Sequence, residues 1–208
     1  MRRILIGVVA ASLMLVGVAG PATARPSFAG PPAGGNAAAP APGADSIADI
    51  AVAAEFNELV GALIYVDGEL GTNLVGTFAE GTDQLTVFAP TDEAFEDLYE
   101  LLSAVLDADI TEIADVPPEV VLDVLLYHVT DGRRAANSVV PRVGERTVTS
   151  LLGETFQVRA NLTIADGLTG VRDSDARIVD ANIPASNGVV HVIDQVIVPA
   201  SVVAALTD

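Results

Sequence analysis

The sequence predicts an α+β domain with its helices first and most of its strands second. Three observations carry that expectation. From Ser46 to Val129, apolar residues recur at helical spacing. From Thr147 onward they fall in short runs rich in β-branched residues, separated by Gly, Asp and Ser turns. One such run, Leu85 to Ala89, stands alone among the helices. Helices grouped before strands argue against a doubly wound α/β sheet. The absence of an internal repeat argues for one domain.

Ser46-x-x-Asp49 reads as a helix start, followed by Ile47, Ile50, Ala51 and Ala54 on one face. Phe56, Leu59, Val60, Leu63 and Ile64 form a second stripe, punctuated at Gly68. Leu70, Leu74 and Phe78 form a third. Leu85 to Ala89 is a short strand ended by Pro90. Thr91 is an N-cap, with Asp92 and Glu93 in the first turn complementing the helix dipole. Ala94, Phe95, Leu98, Leu101, Leu102 and Val105 then form an apolar stripe. Pro117 and Pro118 suit a first turn, opening a helix that runs from Glu119 to Val129. Strands follow at Thr147 to Leu152, Thr155 to Ala160, Leu162 to Ala165, Thr169 to Arg172 and Arg177 to Asn182. The last strand, Gly188 to Val198, is entered through Asn187 and is apolar on both faces, as a central strand is. Pro199 ends it, and Ser201 to Leu206 can close the chain as a helix.

The first 24 residues have the pattern of an export signal. Arg2 and Arg3 precede an uncharged apolar run from Ile4 to Gly20, then Pro21 and the small-x-small triplet Ala22-Thr23-Ala24. Cleavage is expected after Ala24. The rival reading is an uncleaved anchor, but the run is shorter than the ~20 residues a spanning helix needs. The consensus around a twin-arginine pair is missing, so the general secretory route is expected. Residues 25–44, dense in Pro, Ala and Gly, read as a disordered tether, leaving 45–208 as the domain. The expected location is outside the cell, in the medium, the periplasm or the envelope.

Composition excludes several functions. The chain has 10 arginines, no lysine and 28 acids. Removing residues 1–24 takes away Arg2 and Arg3 and no acid, so the remainder has 8 arginines against 28 acids, a net charge of −20. Such a surface repels nucleic acid and anionic lipid, and keeps a monomer soluble. Adaptation to high salt, or a cationic partner, are the sharper readings of the same charge. With no cysteine, the domain has no disulfide, thiolate metal site or thiol nucleophile, and about 160 residues must hold by packing alone. There is no Gly-x-Ser-x-Gly elbow and no phosphate-binding loop. Carboxylate pairs such as Asp107/Asp109 and Asp173/Asp175 lie in no calcium-loop pattern. Asn161-Leu162-Thr163 is a glycosylation acceptor only in a eukaryotic secretory route. The two histidines, His128 at a helix end and His191 in the central strand, read as structural, since zinc sites show closely spaced ligand pairs. No catalytic residue, metal or cofactor is expected.

Two longer strings are more specific. One is T-V-F-A-P-T-D-E-A-F, Thr86 to Phe95; the other is A-S-N-G-V-V-H-V-I-D-Q-V-I-V-P, Ala185 to Pro199. Tyr127-His128 lies between them, and T-S-L-L-G occupies Thr149 to Gly153. In this order and spacing they resemble the two boxes, the central dipeptide and the turn of the fasciclin (FAS1) domain family. The resemblance spans Ser46 to about Leu206.

That resemblance implies a wedge of about seven β-strands with several short helices packed over one end. It makes Thr91, Asp92, His128, Asn187, Gly188, His191 and Asp194 framework residues, with Thr91 or Asp92 as the partner of the His128 ring. It implies a secreted adhesion or extracellular-matrix module, non-catalytic, that binds a cell-surface or matrix protein or a polysaccharide, with Tyr127 and His128 as candidate binding residues. The integrin role of animal members is not carried over to a chain with the signal and tether of a single-domain prokaryotic type. The stretch Asp107 to Pro118 departs from the family's pattern. The alternative is a carrier of a small apolar ligand, a lipid or pigment, held between helices and sheet.

Overall fold

A computed structural model describes residues 41–169 and 175–207. The signal expected at 1–24, most of the linker at 25–44 and most of the strand expected over Thr169 to Arg172 lie outside the described residues.

Ser46 caps α1 (Ile47–Ala53) reciprocally: its Oγ accepts from Asp49 N at 3.1 Å, and Asp49 Oδ2 accepts from Ser46 N at 3.0 Å. Helix α2 (Asn57–Leu70) runs past Gly68 and stops at Gly71, whose φ of 66° a residue with a side chain rarely adopts. Helix α3 (Leu74–Glu80) follows. Ile64 was expected inside but is 59% exposed. Leu59, Ala62, Leu63 and Val66 form the buried face of α2, and at 100° per residue Ile64 falls on the opposite side.

Strand β1 (Leu85–Pro90) is buried throughout and hands the chain to α4 (Asp92–Leu106) through the cap Thr91. A 3₁₀ turn at Ile113–Asp115 precedes α5 (Pro118–Tyr127). Helix α5 ends two residues earlier than its apolar stripe suggests, because Val129 pairs with Val87 as the start of β2 (Val129–Asp131). Then come α6 (Ala136–Val139), β3 (Glu145–Thr149), β4 (Thr155–Arg159), β5 (Thr163–Ala165), β6 (Ala176–Ala185), β7 (Gly188–Ile193) and α7 (Ala200–Thr207).

The seven strands make one mixed sheet in the order β2-β1-β7-β6-β5-β4-β3, with β1 and β7 parallel. Strand β7 stops at Ile193 rather than Val198 because side chains take over its backbone partners. Asp194 Oδ1 accepts from Arg177 N (2.7 Å), His128 Nε2 from Ile197 N (3.1 Å) and Asp166 Oδ2 from Val198 N (2.8 Å).

Strands β1 and β7 lie between two cores. Val87, Ala89, Val190 and Val192 face a core shared with the helices. Phe88 and Ile193 face a second core built with Val148, Phe156, Val158 and Ile164 of β3 to β5. The period-2 alternation of side chains sends successive residues of one strand into different cores. Irregular pairing with β7 interrupts β6 between Ile178 and Ile183, where Asn182 sits at φ 65°. At the domain's start, Gly43 N donates to Ala185 O (3.1 Å), Ser186 N to Asp45 O (2.7 Å) and Arg133 to Ala41 O (3.0 Å), so residues 41–45 lie along the β6–β7 turn.

Candidate functional site

Of the residues singled out in the sequence, Thr91, His128 and His191 gather around β1, β7 and the segment after it, where the two cores join, while Asn187 and Gly188 lie at the opposite end of β7. Asp92 caps a helix other than its own. Phe56 precedes α2 and offers no side-chain acceptor, and Asp92 Oδ1 accepts from Glu58 N while Oδ2 accepts from Asn57 Nδ2, each at 3.0 Å. Thr91 Oγ1 accepts from Ala94 N at 3.3 Å. Asp92→Ala is therefore expected to cost 1–2 kcal/mol, read from the urea midpoint, with Asp92→Asn retaining most of that stability.

Both oxygens of Asp92 and the hydroxyl of Thr91 are thus engaged locally, and the His128 ring has other partners than the two expected. His128 Nδ1 donates to Val124 O (2.7 Å) and Nε2 accepts from Ile197 N (3.1 Å). Only the neutral ring protonated at Nδ1 makes both bonds. His128 O also accepts from Phe88 N (2.8 Å). The residue therefore ties the end of α5 to β1 and to the segment after β7.

Tyr127 and His128, the candidate binding residues, are both buried. Tyr127 is 1% exposed and His128 3%, so neither side chain lies open on the surface, and of the two only His128 lines the apolar cavity between the helices. Tyr127 packs edge-on against Phe156, ring centres 5.4 Å apart, and its hydroxyl donates to Thr155 O (2.9 Å). Burial holds that hydroxyl well above the usual phenol range. It carries a helix side chain into the β-sided core, so its place in the sequence reflects the joining of two cores.

His191 is fully buried beside Phe88. Its Nε2 donates to Arg134 O (3.0 Å) and its Nδ1 accepts from Asn182 N (3.2 Å), joining β7 to the irregular part of β6 and to the loop before α6. Burial pushes its pKa down to about 4, and the bond to Arg134 O opposes that only in part. The folded ring stays neutral where an unfolded one, with a pKa near 6.5, takes up a proton. Its contribution is therefore fully present above pH 6.5 and lost as pH falls toward 4, on the order of 3 kcal/mol. Urea unfolding of wild type and His191→Gln across that window is expected to show the steep decline in wild type only.

Asn187 and Gly188 form the other anchor. Asn187 Oδ1 accepts from Ile47 N (2.9 Å) and its Nδ2 donates to Phe78 O (2.8 Å), both buried. Gly188 lies so close to β1 that a Cβ would sit on the Leu85 carbonyl.

Beside this framework lies an apolar cavity of about 40 Å³ between α2, α4, α5 and α7. Leu59, Phe95, Leu98, Val120 and Val124 line it, with His128 as the single polar residue. Ile113 and Val116, from the stretch Asp107 to Pro118, complete its wall. The sequence reading passed over them. Their signal was the three-residue spacing of Ile110, Ile113 and Val116 in an otherwise acidic loop. Among the described residues no group of three or more His, Asp or Glu is placed to hold a metal ion.

The sequence profile of the Fasciclin domain matches residues 55–199, which takes in the strand-to-helix corner, Tyr127-His128 and β7. The chain belongs to the fasciclin domain family. It is 36% identical over 159 residues to Protein sll1483 of Synechocystis, covering 74% of this chain and 73% of that one. It is 30% identical over 128 residues to the porcine transforming growth factor-beta-induced protein ig-h3, of which it spans 16%. A solved FAS1 domain pair from the insect cell adhesion molecule fasciclin I aligns at 16% identity and a TM-score of 0.40, over 69% of this chain and 44% of that one. Fasciclin domains commonly serve adhesion in extracellular proteins and are generally non-enzymatic. No helix among the described residues of this one is long and apolar enough to cross a membrane.

Proposed function

We propose that this fasciclin domain is an exported, non-catalytic adhesion module that binds a protein or polysaccharide partner at the envelope or in the surrounding matrix. The observation that carries the reading is the engagement of its chemical side chains. Both ring nitrogens of His128 and His191 hold backbone groups, and Asp92, Asp194 and Asn187 do the same. An enzyme needs an acid, base or nucleophile with a reactive atom facing a substrate. The export pattern of residues 1–24 and the tether at 25–44 support delivery outside the membrane and release there.

The carrier reading is less favoured, because the cavity is small. A dry cavity of roughly 150 Å³ takes up benzene, and the 40 Å³ here cannot enclose a lipid or a pigment.

The test is binding of labelled domain to washed cells and envelope from its own source. Saturable retention, displaced by unlabelled domain, is expected. Loss after protease treatment would identify a protein partner, and loss after glycosidase treatment a polysaccharide. No saturable retention at any ionic strength would overturn the proposal.

A further inference from the structure

Charge in this domain segregates with its two halves. Residues 45–132, which supply α1 to α5, carry 20 acids and no arginine or lysine. Residues 133–208 carry 7 arginines and 8 acids. All of the cavity's wall except Val196, Val198 and Val202 comes from the stretch without a cation. Three of its lining residues, Leu59, Ile113 and Val120, each follow a glutamate: Glu58, Glu112 and Glu119. Glu112 and Glu119 are exposed. Glu58 accepts from the Tyr99 hydroxyl at 2.7 Å. Burial first, then Glu58, Glu112 and Asp92, hold Tyr99 above its usual range.

We propose that this cavity is the anchor site of the adhesion interface and takes one aliphatic side chain of a cationic peptide segment on a protein partner. The inference rests on the adhesion reading and narrows its partner class. The 40 Å³ has room for the methyl tip of one branched aliphatic side chain where it has none for a lipid, and buried anchors in pockets dominate the energy of protein interfaces. A sugar would bring hydroxyls into a wall whose only polar side chain, His128, has both ring nitrogens engaged. A wall drawn almost wholly from a stretch with 20 acids and no arginine or lysine attracts lysine or arginine on either side of the anchor and repels an acidic segment. The wall is also built before the partner arrives. Ser103 Oγ exchanges hydrogen bonds with Ile110 N and O at 3.0 Å each, Asp115 holds Thr111 N and Glu112 N, and Tyr65 donates to Val116 O at 3.1 Å. These bonds fix Ile113 and Val116 in place, so little ordering cost remains for binding.

The test uses three fluorescent pentapeptide amides: leucine between paired lysines, alanine between paired lysines, and leucine between paired glutamates. At about 50 mM salt, where screening is modest, the leucine–lysine peptide is expected to bind about tenfold tighter than the alanine–lysine one. The glutamate peptide is expected not to bind. Val120→Phe, which fills the cavity, should abolish the leucine preference while the circular dichroism spectrum and thermal transition are retained. Leu98→Phe serves if that variant does not fold. Glu112→Gln with Glu119→Gln should weaken both lysine peptides and leave their ratio intact. Equal binding of the leucine and alanine peptides, no binding of either, or a preference that survives a folded cavity-filling variant overturns the inference. The same variants are applied to washed cells. Wild-type retention unaffected by Val120→Phe would sink the anchor site and leave the adhesion reading standing, whereas no wild-type retention would sink both.

Discussion

Asn187→Ala is expected to destabilise the domain by about 4 kcal/mol, a large share of the 5–15 kcal/mol by which domains of this size are stable. The side chain is 4% exposed and spans three elements. Its amide oxygen meets the first free N–H of α1, and its nitrogen meets Phe78 O inside α3. Truncation leaves both backbone groups buried without a partner, at 1–3 kcal/mol each. Asn187→Asp separates the two bonds. It keeps an acceptor for Ile47 N and sets a carboxylate against Phe78 O, so it should be at least as damaging as alanine. Urea unfolding of the two variants measures this. A loss under 1 kcal/mol for alanine would show that water replaces both bonds.

Gly188→Ala should cost at least about 3 kcal/mol, although it adds one methyl group and removes no bond. Gly188 lies opposite Leu85 in the parallel pairing of β1 and β7, and Leu85 N donates to Asn187 O at 3.1 Å. The added Cβ would meet the Leu85 carbonyl and come within 2.8 Å of Ile47 Cδ1. The Ile47 side chain can turn away. The carbonyl is held by the ladder between β1 and β7 and cannot. A cleared Leu85 carbonyl therefore requires β1 to separate from β7, and the two strands divide the cores between them. Thermal unfolding should show a transition lowered by at least about 6–12 °C. An unchanged midpoint would mean that the two strands are less closely paired than the 3.1 Å bond from Leu85 N to Asn187 O implies.

Much of the fold was legible because its signals are local. The Ser46 box, the Thr91 cap, the strand breaks at Pro90 and Pro199 and the alternating strands depend on residues within one turn or one strand. What was not legible depends on pairings across the chain. Asp92 caps α2 from 34 residues away, which no capping rule applied to α2 would find. Strand β2 has three residues and is defined by Val87 and its neighbours more than by its own pattern. Asn182 holds φ 65° because His191 and Ala136 N use its backbone and side chain. Both histidines hold backbone groups, yet the partners of His128 were not legible, since Ile197 approaches only after β7 has crossed the sheet. Tyr127 drew a binding role from its place in a dipeptide, and its burial against Phe156 could be known only once two cores were seen.

The separation of framework from contact surface is tested most directly by Tyr127→Phe. The substitution removes only the hydroxyl that bonds Thr155 O. Stability should fall by 1–2 kcal/mol. Binding to washed cells, normalised to folded protein, should keep the same half-saturation concentration as wild type. A variant of undiminished stability that no longer binds would contradict that separation and return the hydroxyl to the interface.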